Sequence, residues 1–171
     1  MRTPGILILS SALLLVGSAS LAQEKKDHCA AGSDHHAQVD ARGDKVMGFD
    51  HEKTTHHFLL SPSGGSIEVT ANRADDRESR DAIRGHLAHI AKMFSDGDFE
   101  APMLVHDRIP PGVEAMKVKK ALIQWKYDEI ENGARLVVST KDPEALSAIH
   151  EFLRFQIADH RTGDPGTVKE K

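Results

Sequence analysis

Apolar positions change their period along this chain, and each change marks an element. Residues 55–60 and 66–71 alternate at period two, with Ile67, Val69 and Ala71 on one face. Between them Ser61-Pro62-Ser63-Gly64-Gly65 reads as a glycine-bearing turn, so a hairpin is predicted. From Ala74 to Ser95 the period lengthens, as Ile83, Leu87, Ile90 and Phe94 recur at helical spacing and Gly97 supplies a stop. A connection carrying Pro102, Pro110, Pro111 and Gly112 follows. Alternation returns over 122–130 through Ile123, Trp125 and Tyr127. Asn132-Gly133 is the dipeptide that most strongly signals a two-residue hairpin turn, and 134–140 reads as the returning strand. Asp142-Pro143, a capping residue followed by proline at the first helical position, opens a last helix running to about His160.

Laid side by side, the two halves read as an internal repeat. Gly97-Asp98 answers Gly163-Asp164, Ile83 answers Ile149, and Leu87 answers Leu153. In that register His86 falls opposite Phe152 and His89 opposite Phe155. The expected architecture is α+β: a ββα-ββα domain with a four-stranded antiparallel sheet and two helices on one face. The other sheet face either meets water or pairs in a homodimer.

The start of the chain bears on compartment. Arg2 precedes an apolar run from Ile6 to Val16, which gives way to small residues and Ser20-Leu21-Ala22. This is the pattern of a secretory signal peptide, residues 1–22, cut after Ala22. No later stretch approaches the roughly 20 apolar residues of a membrane span, so no membrane insertion is expected after cleavage. The expected location is the periplasm or the extracellular space. Residues 23–45 are polar and small with no apolar period, and read as a disordered, His-containing segment. A single domain is expected over 46–165, with a flexible tail at 166–171. Net charge is −4, with one Trp, one Tyr and no dense Lys/Arg tract, which sets nucleic-acid binding aside. The single cysteine, Cys29, rules out an internal disulfide, so the core must hold the domain.

Eleven histidines carry the candidate chemistry. His86, His89 and Met93 stand at i, i+3, i+7 along the border of the first long helix's apolar stripe. Imidazole and thioether ligands in an oxidising compartment suit copper or zinc, copper if methionine takes part. Met103 and His106 in the following connection, and His56 or His57 on the first strand, are candidates to complete the shell. The competing reading is packing: the second helix places two aromatic rings at the matching positions, and methionine is ordinarily a gap filler. His56 alternates with Phe58 and Leu60, so if that face is the core it becomes a buried histidine in need of a partner. His51 and His56 are five apart, entering a strand, which excludes the zinc-protease helix motif. His28, Cys29, His35 and His36 read as a solvated linker that scavenges metal loosely at most. His160, on the stripe of the last helix near its end, reads as a cationic cap. Asp75, Asp76, Glu78 and Asp81 suit the start of a helix. No nucleophile elbow, phosphate loop or dinucleotide fingerprint appears.

Three functions follow as expectations. The first is an exported metal-binding protein that sequesters or transfers copper or zinc. The second is a non-metal ligand-binding or dimerising module with structural histidines. The third is a small His-dependent enzyme, which would show a histidine and a carboxylate converging in a closed cleft.

The runs Met47-Gly48-Phe49-Asp50-His51, Thr54-Thr55-His56-His57-Phe58 and Phe152-Leu153-Arg154-Phe155-Gln156-Ile157 through Asp159-His160 resemble an uncharacterised family of small exported bacterial proteins. The resemblance spans about 47–164. Some members carry an aspartate carbamoyltransferase label, which this chain does not support: it lacks a Ser-Thr-Arg-Thr phosphate-binding segment and is too short for two such domains. The resemblance implies a single exported domain and assigns no functional residues.

Overall fold

The computed structural model describes residues 20–168, with side chains from Asp34 onward. The expected signal peptide therefore lies, but for Ser20-Leu21-Ala22, outside the described residues, as does the end of the tail. Helix α1 (Ser20–Met47) comes first, and its residues from Asp34 on belong to one compact body with the rest of the chain. Hairpin β1 (Thr54–Ser61) and β2 (Gly64–Ala71) leads into α2 (Arg77–Ser95). Two short helices, α3 (Glu100–His106) and α4 (Val113–Val118), fill the proline-bearing connection. A second hairpin, β3 (Ile123–Ile130) and β4 (Gly133–Thr140), is followed by α5 (Pro143–His160). The four strands form one antiparallel sheet in the order β1-β2-β4-β3, and α2 and α5 pack on the same face of it. The α+β architecture is as expected.

Local chemistry accounts for the boundaries. Asp76 caps α2 by accepting from the Ser79 amide at 3.0 Å, and Asp142 caps α5 from the Ala145 amide at 2.8 Å with Pro143 in the first turn. Strands β2 and β4 bury alternate residues in the same pattern, so Ile67, Val69, Leu136 and Val138 face the helices. Against them lie Ile83, Leu87, Ile90 and Phe94 of α2 and Ile149, Phe152 and Leu153 of α5. Phe94 is the hub, with ring centroids 4.5 Å from Phe99, 4.9 Å from Trp125 and 6.1 Å from Phe152.

Three expectations need correcting. Residues 23–45, expected to be disordered, are helical, and from Asp34 the helix is seated on the body. Val39 is fully buried and Arg42 Nε donates to the Val105 carbonyl at 2.7 Å. The missing signal was amphipathicity, because one valine and a series of polar bonds hold this stretch rather than an apolar stripe. The tail is tied down as far as it is described: Arg154 Nε donates to the Gly166 carbonyl at 2.9 Å, and Val168 packs against the core. In the second hairpin the turn residues are Glu131 and Asn132, since Ile130 pairs with Gly133. Gly133 has no positive φ; a Cβ there would run into the Val69 carbonyl of β2. Its role is to let two backbones approach, not to make the turn.

Candidate functional site

The site begins with β1. Alternation puts His56, Phe58 and Leu60 on the helix-facing side, and His57 on the other, where its Nδ1 lies 2.8 Å from Asp164 Oδ1. His56 enters the end of the core that α2, α5 and the last turns of α1 close over. There Phe49 stacks on its ring at 6.0 Å and His160 at 5.9 Å, the latter with planes only 3° apart. Phe49 also receives the edge of His86 at 5.7 Å. His160 in turn meets His106 at 4.9 Å, edge to face. Four histidines from β1, α2, α3 and α5 thus line one cavity of about 80 Å³, whose remaining wall is apolar apart from Gln156: Phe58, Ile67, Val69, Leu87, Ile90 and Phe94 are among its residues.

Burial controls the charge of these rings. It pushes His56 and His86 down to about 4, helped by the neighbouring histidines, and His160 down to about 3. All three are neutral near pH 7. His160 is therefore not the cationic helix cap expected of it; it is a flat neutral ring in a stack with His56 and with Phe58, 5.6 Å away. Among the described residues, neither His86 nor His160 has a hydrogen-bond partner. His56 Nε2 is buried and also has none.

His106 is held differently. It is 2% exposed, with Nδ1 2.6 Å from Asp159 Oδ2 and Nε2 2.9 Å from Gln156 Oε1. Burial lowers its pKa, against the opposing pull of the bonds to Asp159 and Gln156. Asp159 is a junction. Its Oδ1 also accepts from Arg108 Nη2 at 3.1 Å and lies 3.0 Å from His35 Nε2, and its carbonyl lies 3.2 Å from His36 Nδ1. Burial raises the carboxyl, but the bonds from His35 and His106 outweigh it, so Asp159 stays below the ordinary carboxylate range. Far from being a free linker, His35 and His36 fasten α1 to the end of α5. Arg108 also lies 4.6 Å over the Phe155 ring.

An outer hollow of about 210 Å³ adjoins this cavity, lined by Asp40, His51, Thr54, Thr55 and Thr162 among others. Met47, His56 and His160 line both spaces. A larger hollow of 620 Å³ beside Leu122, Gln124 and Ser139 contains none of the buried unpartnered side-chain atoms.

Of the metal candidates, His56, His86 and His106 share the cavity, whereas His89, Met93 and Met103 do not line it; His89 is exposed. Among the described residues, one trio of His, Asp, Glu or Cys brings three ligand atoms within 4.8 Å of one another: Asp44, Asp50 and His51. No three of the cavity histidines do so. The Asp44 trio has a structural occupation already, since Asp44 accepts from the His51 amide at 2.8 Å and Asp50 caps the 3₁₀ turn that follows it. Nor does His106 offer a free nitrogen. Sequence reading did not anticipate Gln156, Asp159 and the inward role of His160. The available signal was spacing: Phe152, Gln156, Asp159 and His160 repeat at three and four, so the apolar stripe of α5 continues into polar residues instead of ending.

No helix among the described residues is long and apolar enough to cross a membrane. No protein-family model matches the chain, and neither a curated protein nor a solved structure matches it, so the functional reading rests on this geometry.

Proposed function

We propose that this chain is an exported ligand-binding protein whose site is the histidine-lined cavity between the sheet, α2 and α5. One observation carries the reading. Gln156 lines the cavity and is 4% exposed; one end of its amide reaches His106 while the other, Nε2, is buried and has no partner among the described residues. A buried polar group without a partner costs about 1–3 kcal/mol, and the usual resolution is a bound molecule or an ordered water. His56 Nε2 poses the same problem in the same cavity. Export is supported by the N-terminal sequence pattern alone. The buried His106–Asp159 pair satisfies one criterion for an acid/base enzyme, yet its outward nitrogen is taken by Gln156, so here the pair positions that amide.

Copper is the second reading, and a specific observation favours it: His56, His86 and His160 are neutral imidazoles facing one space, ready to ligate without releasing protons. The three do not form a ready three-ligand set, and no carboxylate stands among the cavity residues to balance a dication. The form left is Cu(I) held by two imidazoles. Both readings are tested on the purified chain. Under xenon pressure, saturable NMR shifts confined to the methyl groups of Ile67, Val69, Leu87 and Ile90 support a ligand cavity; unperturbed methyls overturn it. Competition titration with Cu(I), yielding one equivalent that disappears in His56→Ala and His86→Ala, supports metal binding instead.

A further inference from the structure

Size, charge and hydrogen-bond parity together narrow the occupant. The cavity, at about 80 Å³, is roughly half the ~150 Å³ that admits benzene, so it suits a molecule of about four non-hydrogen atoms. Its walls are apolar side chains, neutral rings and the uncharged Gln156 amide, and an ion of either sign entering it would lose its hydration without finding a counter-charge. The occupant is therefore uncharged and mostly apolar.

Parity identifies its polar group. Asp159 already faces the Arg108 guanidinium at 3.1 Å and His35 at 3.0 Å, so it needs no imidazolium from His106. A neutral His106 that gives its Nδ1 proton to Asp159 presents Nε2 as an acceptor. The group 2.9 Å away must then be an amide N–H of Gln156. A half-turn of the Gln156 amide about its last side-chain bond makes that exchange without other movement, because its two ends have nearly the same size. After it, the Gln156 carbonyl occupies the unpartnered position beside the cavity. The missing partner is a donor. His56 Nε2, neutral and unpartnered, accepts or donates according to its tautomer.

We infer that the cavity takes a small uncharged molecule with an apolar body and one hydroxyl group, the hydroxyl donating to the Gln156 carbonyl. This rests on the ligand-binding reading above and deepens it. A hydroxyl is the natural choice because its single O–H donates to the Gln156 carbonyl while its oxygen still accepts, which suits the tautomer of His56 that carries its proton on Nε2. The relay Gln156–His106–Asp159 serves to fix the amide: Asp159 sets the His106 tautomer, and His106 sets which end of Gln156 faces inward. Loose binding is expected of so small a ligand, with a Kd no tighter than roughly tens of micromolar.

The test uses four probes on the full chain, followed by NMR: 2-propanol, its isosteres acetone (acceptor only) and acetate (anionic), and xenon. The expected result is saturable binding of 2-propanol at least about tenfold tighter than acetone, with acetate excluded and xenon bound. In Gln156→Leu the preference for 2-propanol over acetone is lost while xenon still binds. Should that variant fail to fold, the Gln156 side-chain amide resonances of the unaltered chain decide, shifting with 2-propanol and not with acetone. Acetone binding as well as 2-propanol, or an alcohol preference that survives Gln156→Leu, overturns the hydroxyl assignment and leaves the cavity reading standing. Binding of acetate overturns the uncharged class. If xenon also fails to bind, the cavity reading itself falls.

Discussion

Three half-buried neutral histidines make acid the sharpest perturbation of this fold. An unfolded histidine titrates near ~6.5, whereas His56 and His86 are held at about 4 and His160 at about 3. The folded values lie below the unfolded ones, so on acidification the unfolded chain takes up protons first. Their stabilising effect is fully present above about pH 6.5 and is lost as the pH falls toward 4. At pH 5 an ordinary histidine is almost fully protonated and these three are almost bare, which costs about 2 kcal/mol per ring relative to neutral pH, about 6 kcal/mol in all. Because each folded value lies below 5, the sum barely depends on how far below. A domain of this size has about 5–15 kcal/mol to lose, so most of its stability should vanish between pH 7 and 5. His51 opposes this: burial works against its proton, but the bond to Asp44 outweighs that and raises its pKa, so its contribution is present in acid and fades as pH rises. It is 38% exposed and does not offset the three cavity rings. Urea unfolding followed by Trp125 fluorescence at pH 7, 6 and 5 measures the slope. His160→Phe, which keeps a flat ring in the stack, should remove about a third of it. A free energy of unfolding that changes by less than about 1 kcal/mol over this range, or that rises toward pH 5, would refute the reasoning.

Further outcomes follow from single contacts. Asp159→Ala removes a buried 2.6 Å bond to His106 and the bonds to the partly exposed His35 and Arg108, and should cost about 3 kcal/mol, with the His106 ring resonances changing; a loss under about 1 kcal/mol by urea unfolding would contradict its junction role. Gly133→Ala forces a methyl against the Val69 carbonyl and should lower stability by about 2 kcal/mol or more, read as a drop in Tm; an unchanged Tm would show that the strands can part there. Phe94→Ala should cost about 3–5 kcal/mol and enlarge the cavity beside Leu87 and Phe152; it should also bind benzene, which the unaltered chain excludes, and equal benzene binding by both chains would argue against the stated cavity size.

How far the sequence could be read depended on the kind of force holding each part. Hairpins and long helices were legible because burial of Ile67, Val69, Ile83, Leu87 and Phe94 imposes a period that composition displays directly. Asp142-Pro143 was legible because capping is local. The seat of α1 was not, since it depends on His35 and His36 finding Asp159 well over a hundred residues away, a pairing without any local trace. The candidate site was half legible. His56 was expected to be a buried histidine wanting a partner if its face were core; its ring is half-buried, and its Nε2 is buried without a partner among the described residues. His86 was placed at the border and lies there. His89, Met93 and Met103 were grouped with them by helical spacing or chain proximity, but neither says which way a border residue finally leans. Gln156 escaped notice because an amide in an apolar stripe looks like tolerated polarity until its neighbours are known.

The wall shared by the two hollows has a kinetic consequence. Two of its members, His56 and His160, are flat rings pinned in a parallel stack, while Met47 is an unbranched side chain at the end of a helix. Of the three residues that line both hollows, only Met47 can change its torsions without disturbing a ring stack. Residence time and affinity then become separable properties: Met47→Ile, stiffer at its first torsion, should slow both arrival and departure while leaving the equilibrium almost where it was.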